Sequence, residues 1–320
     1  MPKSKILPIT GSWFEFQHLW KVEGKYWDKS CAQFSCEQWT KKIEEIREIG
    51  IDHLVLLDVA CDSKAYFDTP LFPKFPFACN DPLEVCLGAA DRLGIKFFVG
   101  IGYFTPCSSP WQKINESGEV KKRFQAMNEI LEKYGHHSSF YGWYLPHEAQ
   151  IKGHFREEFV TYVKMFNSEA RRLFPEGKIL IAPYGTRLAT PDAAYMRQLE
   201  EMDLDFIAYQ DEVGVEKSKS GELPGFYEGL KKAHDKLGKT GLWADVEIFR
   251  FEGAVYKSAL LPASFERILK QLKAASDFVD KILVYQYQGM MNKPDTPAFA
   301  GRPDSTKLYR DYKNWLGNYI

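Results

Sequence analysis

Phe140-Tyr141-Gly142-Trp143-Tyr144-Leu145-Pro146-His147-Glu148 is the stretch of sequence from which we infer the fold. Its apolar, aromatic first half is typical of a buried β-strand, and Pro146 tends to close that strand because it cannot donate a ladder hydrogen bond. The two residues just past Pro146 are His147 and Glu148. If the strand belongs to a parallel barrel, a carboxylate just past its end lies at the face where barrel enzymes carry their catalytic groups. The interpretation then depends on whether other segments complete a barrel and place a second carboxylate at that face.

Seven further segments are short, apolar and separated by helical patterns, as expected for strands covered on both faces. These predicted strands are 6–16, 51–59, 95–103, 178–184, 205–211, 241–247 and 281–288. The predicted helices between and after the strands are 37–49, 82–93, 118–134, 154–173, 192–201, 226–237, 265–278 and 305–316. Eight strands that alternate with helices predict an α/β fold, a (β/α)8 TIM barrel that forms a single domain over residues 1–320.

An open, doubly wound sheet is the alternative arrangement of the same elements. Such a sheet usually carries a glycine-rich phosphate loop after its first strand. Here the first strand contains Gly11-Ser12-Trp13, with no second glycine at phosphate-loop spacing. The sequence therefore favours the barrel.

The composition excludes several classes of partner. With 42 basic and 43 acidic residues, the chain has no net field that would attract nucleic acid or an anionic membrane. No apolar run is long enough to span a membrane, and the first residues lack the apolar core of a signal peptide. We expect a cytoplasmic monomer from the sequence as it stands, or a periplasmic or secreted protein if a signal peptide was removed.

Six cysteines fall in the first third of the chain: Cys31, Cys36, Cys61, Cys79, Cys86 and Cys107. Their spacings match no zinc or redox motif. We therefore expect the cysteines to be buried and to pack as small apolar residues, rather than to form a disulfide framework.

The predicted strand ends carry carboxylates and amides, one histidine and no lysine. A Schiff-base aldolase needs a lysine there, and divalent-metal hydrolases usually gather several histidines. A phosphate-binding barrel would have glycine-rich loops after strands seven and eight, and these are absent. We therefore expect neither a metal nor a cofactor.

Glu148 and Glu247 end the fourth and seventh predicted strands, which face each other across the mouth of a barrel. A pair of carboxylates is the catalytic machinery of glycoside hydrolysis, in which one protonates the leaving oxygen and the other attacks or activates water. Two long glutamate side chains favour the close pairing of a retaining enzyme, with Glu148 as acid/base and Glu247 as ionised nucleophile. Glu148 could instead cap the segment that follows it, and Glu247 could pair with Arg250. Asp211 and Glu212 are rival candidates for the nucleophile.

Aromatic residues make up 15% of the chain, and many follow predicted strands, where flat rings could stack on sugar faces or simply plug the barrel. We expect Trp13, Trp20 and Trp111 to wall the deepest pocket. Asp245 lies two residues before Glu247 and so shares its face of the strand, where it could orient Glu247. The remaining candidate substrate-binding residues are His147, Tyr184, Tyr209, Gln210, Asp211, Gln286 and Gln288.

The first strand with its Trp-rich loop, the motif Gly142–Glu148 and the motif Tyr285-Gln286-Tyr287-Gln288-Gly289 resemble the bacterial family known as domain of unknown function 4434. That family is grouped with glycosidase-type barrels and, more distantly, is similar to the clan A retaining glycoside hydrolases. The resemblance covers nearly the whole chain and implies that Glu148 and Glu247 are the carboxylates of strands four and seven. His147 departs from clan A, in which an asparagine usually precedes the first glutamate.

Two alternative functions share the same predicted barrel. A carbohydrate-binding barrel without catalysis would keep the aromatic residues and need no carboxylate pair. A metal-dependent isomerase or lyase would need a metal ion near His147 and Glu148.

Overall fold

The computed structural model describes residues 6–102 and 114–318. Eight parallel strands form one closed barrel, in which each strand pairs with the next in the chain and the last pairs with the first. The strands are β1 (Ile9–Phe14), β2 (His53–Leu56), β3 (Lys96–Gly100), β4 (Phe140–Tyr144), β5 (Lys178–Ile181), β6 (Phe206–Gln210), β7 (Gly241–Glu247) and β8 (Lys281–Tyr285). The predicted (β/α)8 barrel is confirmed.

Helices surround the barrel. Those in the described residues are α1 (Asp28–Gln33), α2 (Cys36–Glu48), α3 (Pro82–Leu93), α4 (Ser117–Tyr134), α5 (Glu157–Leu173), α6 (Ala193–Met202), α7 (Leu223–Leu237), α8 (Phe265–Ala275), α9 (Tyr287–Met290) and α10 (Ser305–Gly317). Two short antiparallel pairs lie outside the barrel, Ala60–Cys61 with Lys64–Ala65 and Phe249–Phe251 with Leu260–Pro262. Over the same described ranges, no helix is long and apolar enough to cross a membrane.

Local signals set several helix ends. Ser35 and Gln38 form a reciprocal capping box at the start of α2, which satisfies two backbone N–H groups that the first turn leaves unpaired. Gly94 and Gly238 end α3 and α7 in the left-handed conformation, which a residue without a Cβ adopts without strain. These residues explain why the predicted helix ends were close to the observed ones.

Two predictions at the first and last strands were wrong. Strand β1 stops at Phe14, two residues early, because the backbone N–H of Glu15 donates to the Gln288 side chain (3.1 Å) and not to a neighbouring strand. Strand β8 stops at Tyr285, and part of its predicted continuation is the short helix α9. Helix α1 was predicted as loop, since its six residues are too few to show a helical apolar pattern.

Large side chains fill the barrel interior. The buried residues that pack there are Trp13, Val55, Leu57, Phe98, Tyr144, Leu180, Ala182, Ala208, Trp243 and Leu283. The rings of Phe206 and Trp243 stack with their centroids 4.1 Å apart. The interior is therefore a packed core, above which lies the barrel mouth, the end formed by the carboxyl ends of the strands.

Cys36 and Cys79 form a disulfide that joins the start of α2 to the loop before α3, with Cα atoms 5.1 Å apart. The expectation that the cysteines are simply buried apolar residues is wrong for this pair. It holds for Cys31, Cys61 and Cys86, which are buried, while Cys107 lies outside the described residues. The sequence spacing of 43 residues carried no signal because the fold alone brings the two thiols together.

Gly142 of β4 is required by the packing of the barrel. It lies opposite Lys178 of β5, and a Cβ at Gly142 would overlap the backbone of that residue. We predict that Gly142→Ala lowers the free energy of unfolding by about 3 kcal/mol or more, since a rigid strand cannot move aside. The measurement is chemical denaturation monitored by circular dichroism.

Gly225→Ala in α7 is the matched control, because a Cβ there has no neighbour within 4 Å. Alanine should be neutral or stabilise the helix by up to about 1 kcal/mol. Equal stabilities for the two variants would contradict the packing argument.

Candidate active site at the barrel mouth

A cavity of about 610 Å³ opens at the barrel mouth. Residues from the ends of seven strands or the loops that follow them line it. They are His18, Leu19, Trp20, Glu23, Leu57, Glu148, Tyr184, Gln210, Glu212, Val215, Lys217, Asp245, Glu247, Phe249, Phe251, Tyr256, Leu260 and Tyr285. The structure thus brings Glu148 and Glu247 to the same cavity.

Glu148 is positioned from two strands. The Tyr144 hydroxyl at the end of β4 donates to Oε1 (3.2 Å), and the Gln210 amide at the end of β6 donates to Oε2 (2.8 Å). Burial raises the pKa of Glu148 to about 7, although both hydrogen bonds stabilise the ionised form and oppose the shift. A carboxyl with this pKa can both donate and accept a proton near neutral pH.

Glu247 ends β7 and is buried, with Oε2 accepting a hydrogen bond from the Val215 backbone N–H (2.9 Å). Burial raises the pKa of Glu247 well above its ordinary value, and the charge of Asp211 raises it further. The backbone N–H groups of Val215 and Gly214 act in the opposite direction. Burial and the Asp211 charge outweigh these hydrogen bonds, so the site by itself does not favour the ionised Glu247 that the sequence led us to expect.

Asp211 lies behind Glu247 and does not line the cavity. Its Oδ1 accepts hydrogen bonds from the backbone N–H groups of Val213 (3.1 Å) and Glu247 (3.3 Å), and its Oδ2 accepts one from Gln271 (2.6 Å). Burial raises the pKa of Asp211 to about 6. The structure thus places Asp211 where it holds the end of β7, and not where a substrate would reach it.

Glu212, the other rival candidate, does line the cavity. Its Oε2 accepts a hydrogen bond from the Gly185 N–H (2.9 Å), and its Oε1 lies 3.7 Å from Lys217 Nζ. Burial raises the pKa of Glu212, while the Lys217 charge lowers it. Both carboxylate oxygens of Glu212 therefore already have a partner, Gly185 for one and Lys217 for the other.

Asp245 shares the inward face of β7 with Glu247 and lines the floor of the cavity. Burial raises its pKa well above the ordinary value, and the charges of Glu148, Glu247 and Asp211 add to the effect. Its Oδ1 is buried without a hydrogen-bond partner in the described part of the chain. Asp245 thus has an oxygen without a hydrogen-bond partner at the base of the cavity, and burial favours its protonated form.

The predicted aromatic walls are only partly present. Trp20 lines the cavity and is 46% exposed, and Tyr184 lines it as well. Trp13 does not: it is buried inside the barrel with its ring edge-on to Tyr144, so its assignment to the pocket wall was wrong. Trp111 lies outside the described residues.

Two other predicted residues point away from the cavity. Tyr209 is buried on the outer face of β6, where its hydroxyl contacts Tyr195 (2.8 Å) and His234 (2.9 Å). Its assignment was wrong because side chains alternate along a strand, so Tyr209 faces outward if Gln210 faces the mouth. His147 is likewise buried away from the cavity, with its ring edge-on to Tyr162 at a centroid distance of 5.1 Å.

Gln286 and Gln288 support the site from behind and do not line the cavity. Gln286 Nε2 donates to Glu15 Oε1 (2.6 Å), and Gln288 bonds both the N–H and the carbonyl of Glu15. Their expected direct contact with substrate was therefore wrong. These glutamines position Glu15 at the end of β1.

Comparison with known proteins identifies the family. The family described as "Domain of unknown function (DUF4434)" matches residues 9–298, which include all eight barrel strands. The chain belongs to this family. No curated protein matches the chain in sequence.

Solved structures similar to the DUF4434 barrel carry names of glycoside hydrolases. A "putative alpha-L-fucosidase" of Bacteroides thetaiotaomicron has a TM-score of 0.77 at 18% identity, and the alignment covers 99% of this chain and 95% of the fucosidase chain. An endo-1,4-beta-mannanase of Rhizomucor miehei has a TM-score of 0.57 at 8% identity, with 97% and 95% coverage. An endocellulase of Pyrococcus horikoshii has a TM-score of 0.57 at 13% identity, with 98% and 92% coverage. At these identities the likeness shows the shared barrel fold.

The DUF4434 cavity also contains a histidine that sequence reasoning missed. His18 lies between two carboxylates, with Nδ1 3.1 Å from Glu15 and Nε2 3.2 Å from Glu23. Burial alone would lower the pKa of His18, but the two carboxylates raise it to about 10. Tyr285 completes this wall, with its hydroxyl 2.9 Å from His18 Nδ1. The spacing Glu15-x2-His18-x4-Glu23 was a possible signal in the loop after β1.

We predict that Gln210→Met raises the pKa of Glu148 by about one pH unit, because it removes a hydrogen bond that stabilises the ionised carboxylate. The carboxyl can be titrated by NMR on protein labelled with ¹³C-glutamate. Gln125→Met is the matched control, since Gln125 donates to the exposed Glu129 at the same distance of 2.8 Å. A Glu148 titration that both variants leave unchanged would contradict the assigned role of Gln210.

Proposed function

We propose that this DUF4434 protein is a retaining glycoside hydrolase that acts on an oligosaccharide or polysaccharide, with Glu148 as the acid/base and Glu247 as the nucleophile. The observation that carries the proposal is that a glutamate after β4 and a glutamate at the end of β7 line one cavity at the barrel mouth, and that burial raises the pKa of Glu148 to about 7. The glycosidase-type barrel shared with the structural neighbours supports it.

In the first step, Glu148 gives its proton to the glycosidic oxygen while Glu247 attacks the anomeric carbon, so that the glycosidic bond breaks and a glycosyl ester forms. In the second step, the ionised Glu148 takes a proton from water, the water oxygen attacks the same carbon, and Glu247 leaves as a carboxylate. Glu148 is then protonated again.

Glu247 must be ionised for this attack, and two features of the site favour the anion once a substrate is bound. The backbone N–H groups of Val215 and Gly214 point to its carboxylate. Positive charge that develops at the anomeric carbon lowers the free energy of an adjacent anion. Both effects oppose the burial that raises the pKa of Glu247.

The charges of the cavity favour a neutral sugar as substrate. Five carboxyl groups line it, those of Glu23, Glu148, Glu212, Asp245 and Glu247. The two cations, His18 and Lys217, lie beside Glu15, Glu23 and Glu212. A sugar carboxylate would find no uncommitted cation among the lining residues, whereas a hydroxyl group could donate to the unpaired Oδ1 of Asp245.

We predict different losses for the two glutamates on aryl glycosides. Glu247→Gln should abolish turnover of every leaving group, because glutamine cannot form the glycosyl ester. Glu148→Gln should slow poor leaving groups by roughly 10²–10⁴-fold and activated ones much less, since only poor leaving groups need its proton. The measurement is kcat/KM across a series of phenols, with the anomer of the first product followed by NMR.

Glu212→Gln is the control at the same rim. If it abolishes turnover and Glu247→Gln does not, the nucleophile is Glu212. An inverted first product would rule out retention. Sugar binding without hydrolysis of any glycoside in a broad panel would favour the carbohydrate-binding barrel.

The disulfide supports a location in an oxidising compartment, and we propose that the protein acts in the periplasm or outside the cell. That the protein is a monomer stays a prediction.

The disulfide between Cys36 and Cys79 closes a chain loop of 43 residues, which should stabilise the fold by about 4 kcal/mol. We predict that the Cys36→Ser/Cys79→Ser variant loses this amount in chemical denaturation, and that a reductant lowers the wild type to the same value. The variant itself should not respond to reductant; if it does, the loss in the wild type does not come from this bond.

A further inference from the structure

A cluster of histidines and carboxylates lies between α3 and the loop that joins α4 to β4. Glu84 is in the first turn of α3, and His136 and His137 are adjacent in the loop. One possible ligand atom from each of the three lies within 4.8 Å of the other two. None of them lines the cavity at the barrel mouth, and the proposed hydrolysis does not use them.

The ring of His137 is fixed from behind. Its Nδ1 lies 2.6 Å from Oδ2 of Asp91, which is two helical turns after Glu84 on α3. The other oxygen of Asp91 accepts hydrogen bonds from the Ser138 hydroxyl (3.0 Å) and the Ser139 N–H (2.6 Å). A carboxylate on one nitrogen of a histidine is the usual support of a histidine that binds a metal through the other nitrogen.

The opposite nitrogen of His137 faces an acceptor. Its Nε2 lies 3.1 Å from Oε2 of Glu84. If Nδ1 gives its proton to the hydrogen bond with Asp91, Nε2 presents a lone pair to the carboxylate, and two acceptors at this distance repel each other unless a proton or a cation lies between them. Two ligand atoms of one tetrahedral zinc ion, each about 2.0–2.2 Å from the metal, lie roughly 3.3 Å apart. The observed separation suits either occupant.

His136 decides between the two occupants. A proton between His137 and Glu84 would need only these two residues and Asp91. It would not require a second imidazole. The His136 ring lies against that of His137 with centroids 4.2 Å apart and brings a third candidate ligand atom within 4.8 Å of the other two. His136 is exposed and Glu84 is half-buried, so water can complete a fourth position.

We propose that Glu84, His136 and His137 bind a divalent transition-metal ion of the zinc class, with Asp91 as the carboxylate that orients His137. Two imidazole nitrogens and one carboxylate oxygen are donors that suit zinc better than magnesium or calcium. The ion would join α3 to the segment that leads into β4, the strand that precedes Glu148. Its role is to stabilise the fold, and it takes no part in the hydrolysis.

The test uses the full chain, freed of metal with a chelator and then dialysed. Titration with zinc chloride by isothermal calorimetry should give one ion per chain, and the melting temperature should rise with zinc concentration because the ion binds only the folded state. His136→Ala and Glu84→Gln should each weaken binding at least about tenfold, and Asp91→Asn should weaken it about 10–100-fold. His136→Ala is the principal variant, since an exposed side chain can be removed without loss of the fold.

His154→Ala is the matched control, because His154 pairs with a single carboxylate, Asp192, at 3.0 Å without a second histidine. This variant should bind zinc like the wild type. The proposal fails if metal-free protein binds no zinc, or if His136→Ala binds it as tightly as His154→Ala does. Hydrolysis assays play no part in the test, so its outcome is independent of the proposed function.

Discussion

The hydrogen bonds between β1 and β8 close the sheet, and the cavity at the barrel mouth depends on that closure. Ser12 of the first strand lies opposite Val284 of the last. A closed parallel barrel has no free edge, and all its carboxyl ends point to the same mouth. Closure therefore brings Glu148 and Glu247 to one cavity although they lie 99 positions apart in the chain. It also places Glu15 after β1 within reach of the glutamines that follow β8.

The packed interior of the barrel sets the chemistry of the mouth. Along β7, Trp243 fills the interior, Asp245 forms the cavity floor above it and Glu247 ends the strand, all on the inward face. Aromatic packing excludes water from below, so the ionised forms of these carboxyl groups lose hydration. The raised pKa values of Asp245, Glu247 and Glu148 have burial as their largest cause. Thus the side chains that stabilise the barrel also determine the protonation of its candidate catalytic groups.

The site distributes its charges unevenly around the mouth. At β1 and β8, His18 lies between Glu15 and Glu23 and is held as a cation. At β6 and β7, Asp211 and Glu247 are both buried, and each has its pKa raised. Arg267 reaches this second region but donates to the backbone carbonyls of Glu247 and Phe249. One region therefore pairs its cation with two carboxylates, whereas in the other burial favours the protonated forms of the carboxyl groups.

The sequence by itself determined the order of strands and helices, and with it the two glutamates, because both signals are local: apolar runs define buried strands, and an acidic residue just past a run marks a strand end. It did not determine which neighbouring residue faces the mouth, as Tyr209 shows, since a change of one residue in strand position reverses every side chain. Nor did it determine how deep an inward residue lies, as Trp13 in the barrel interior shows. Only the tertiary structure decided the roles of Gln286 and Gln288, the bond between Cys36 and Cys79, and the setting of His18. Each of these depends on contacts or burial created by groups that meet only when the barrel closes, and such contacts leave no periodic pattern along the chain.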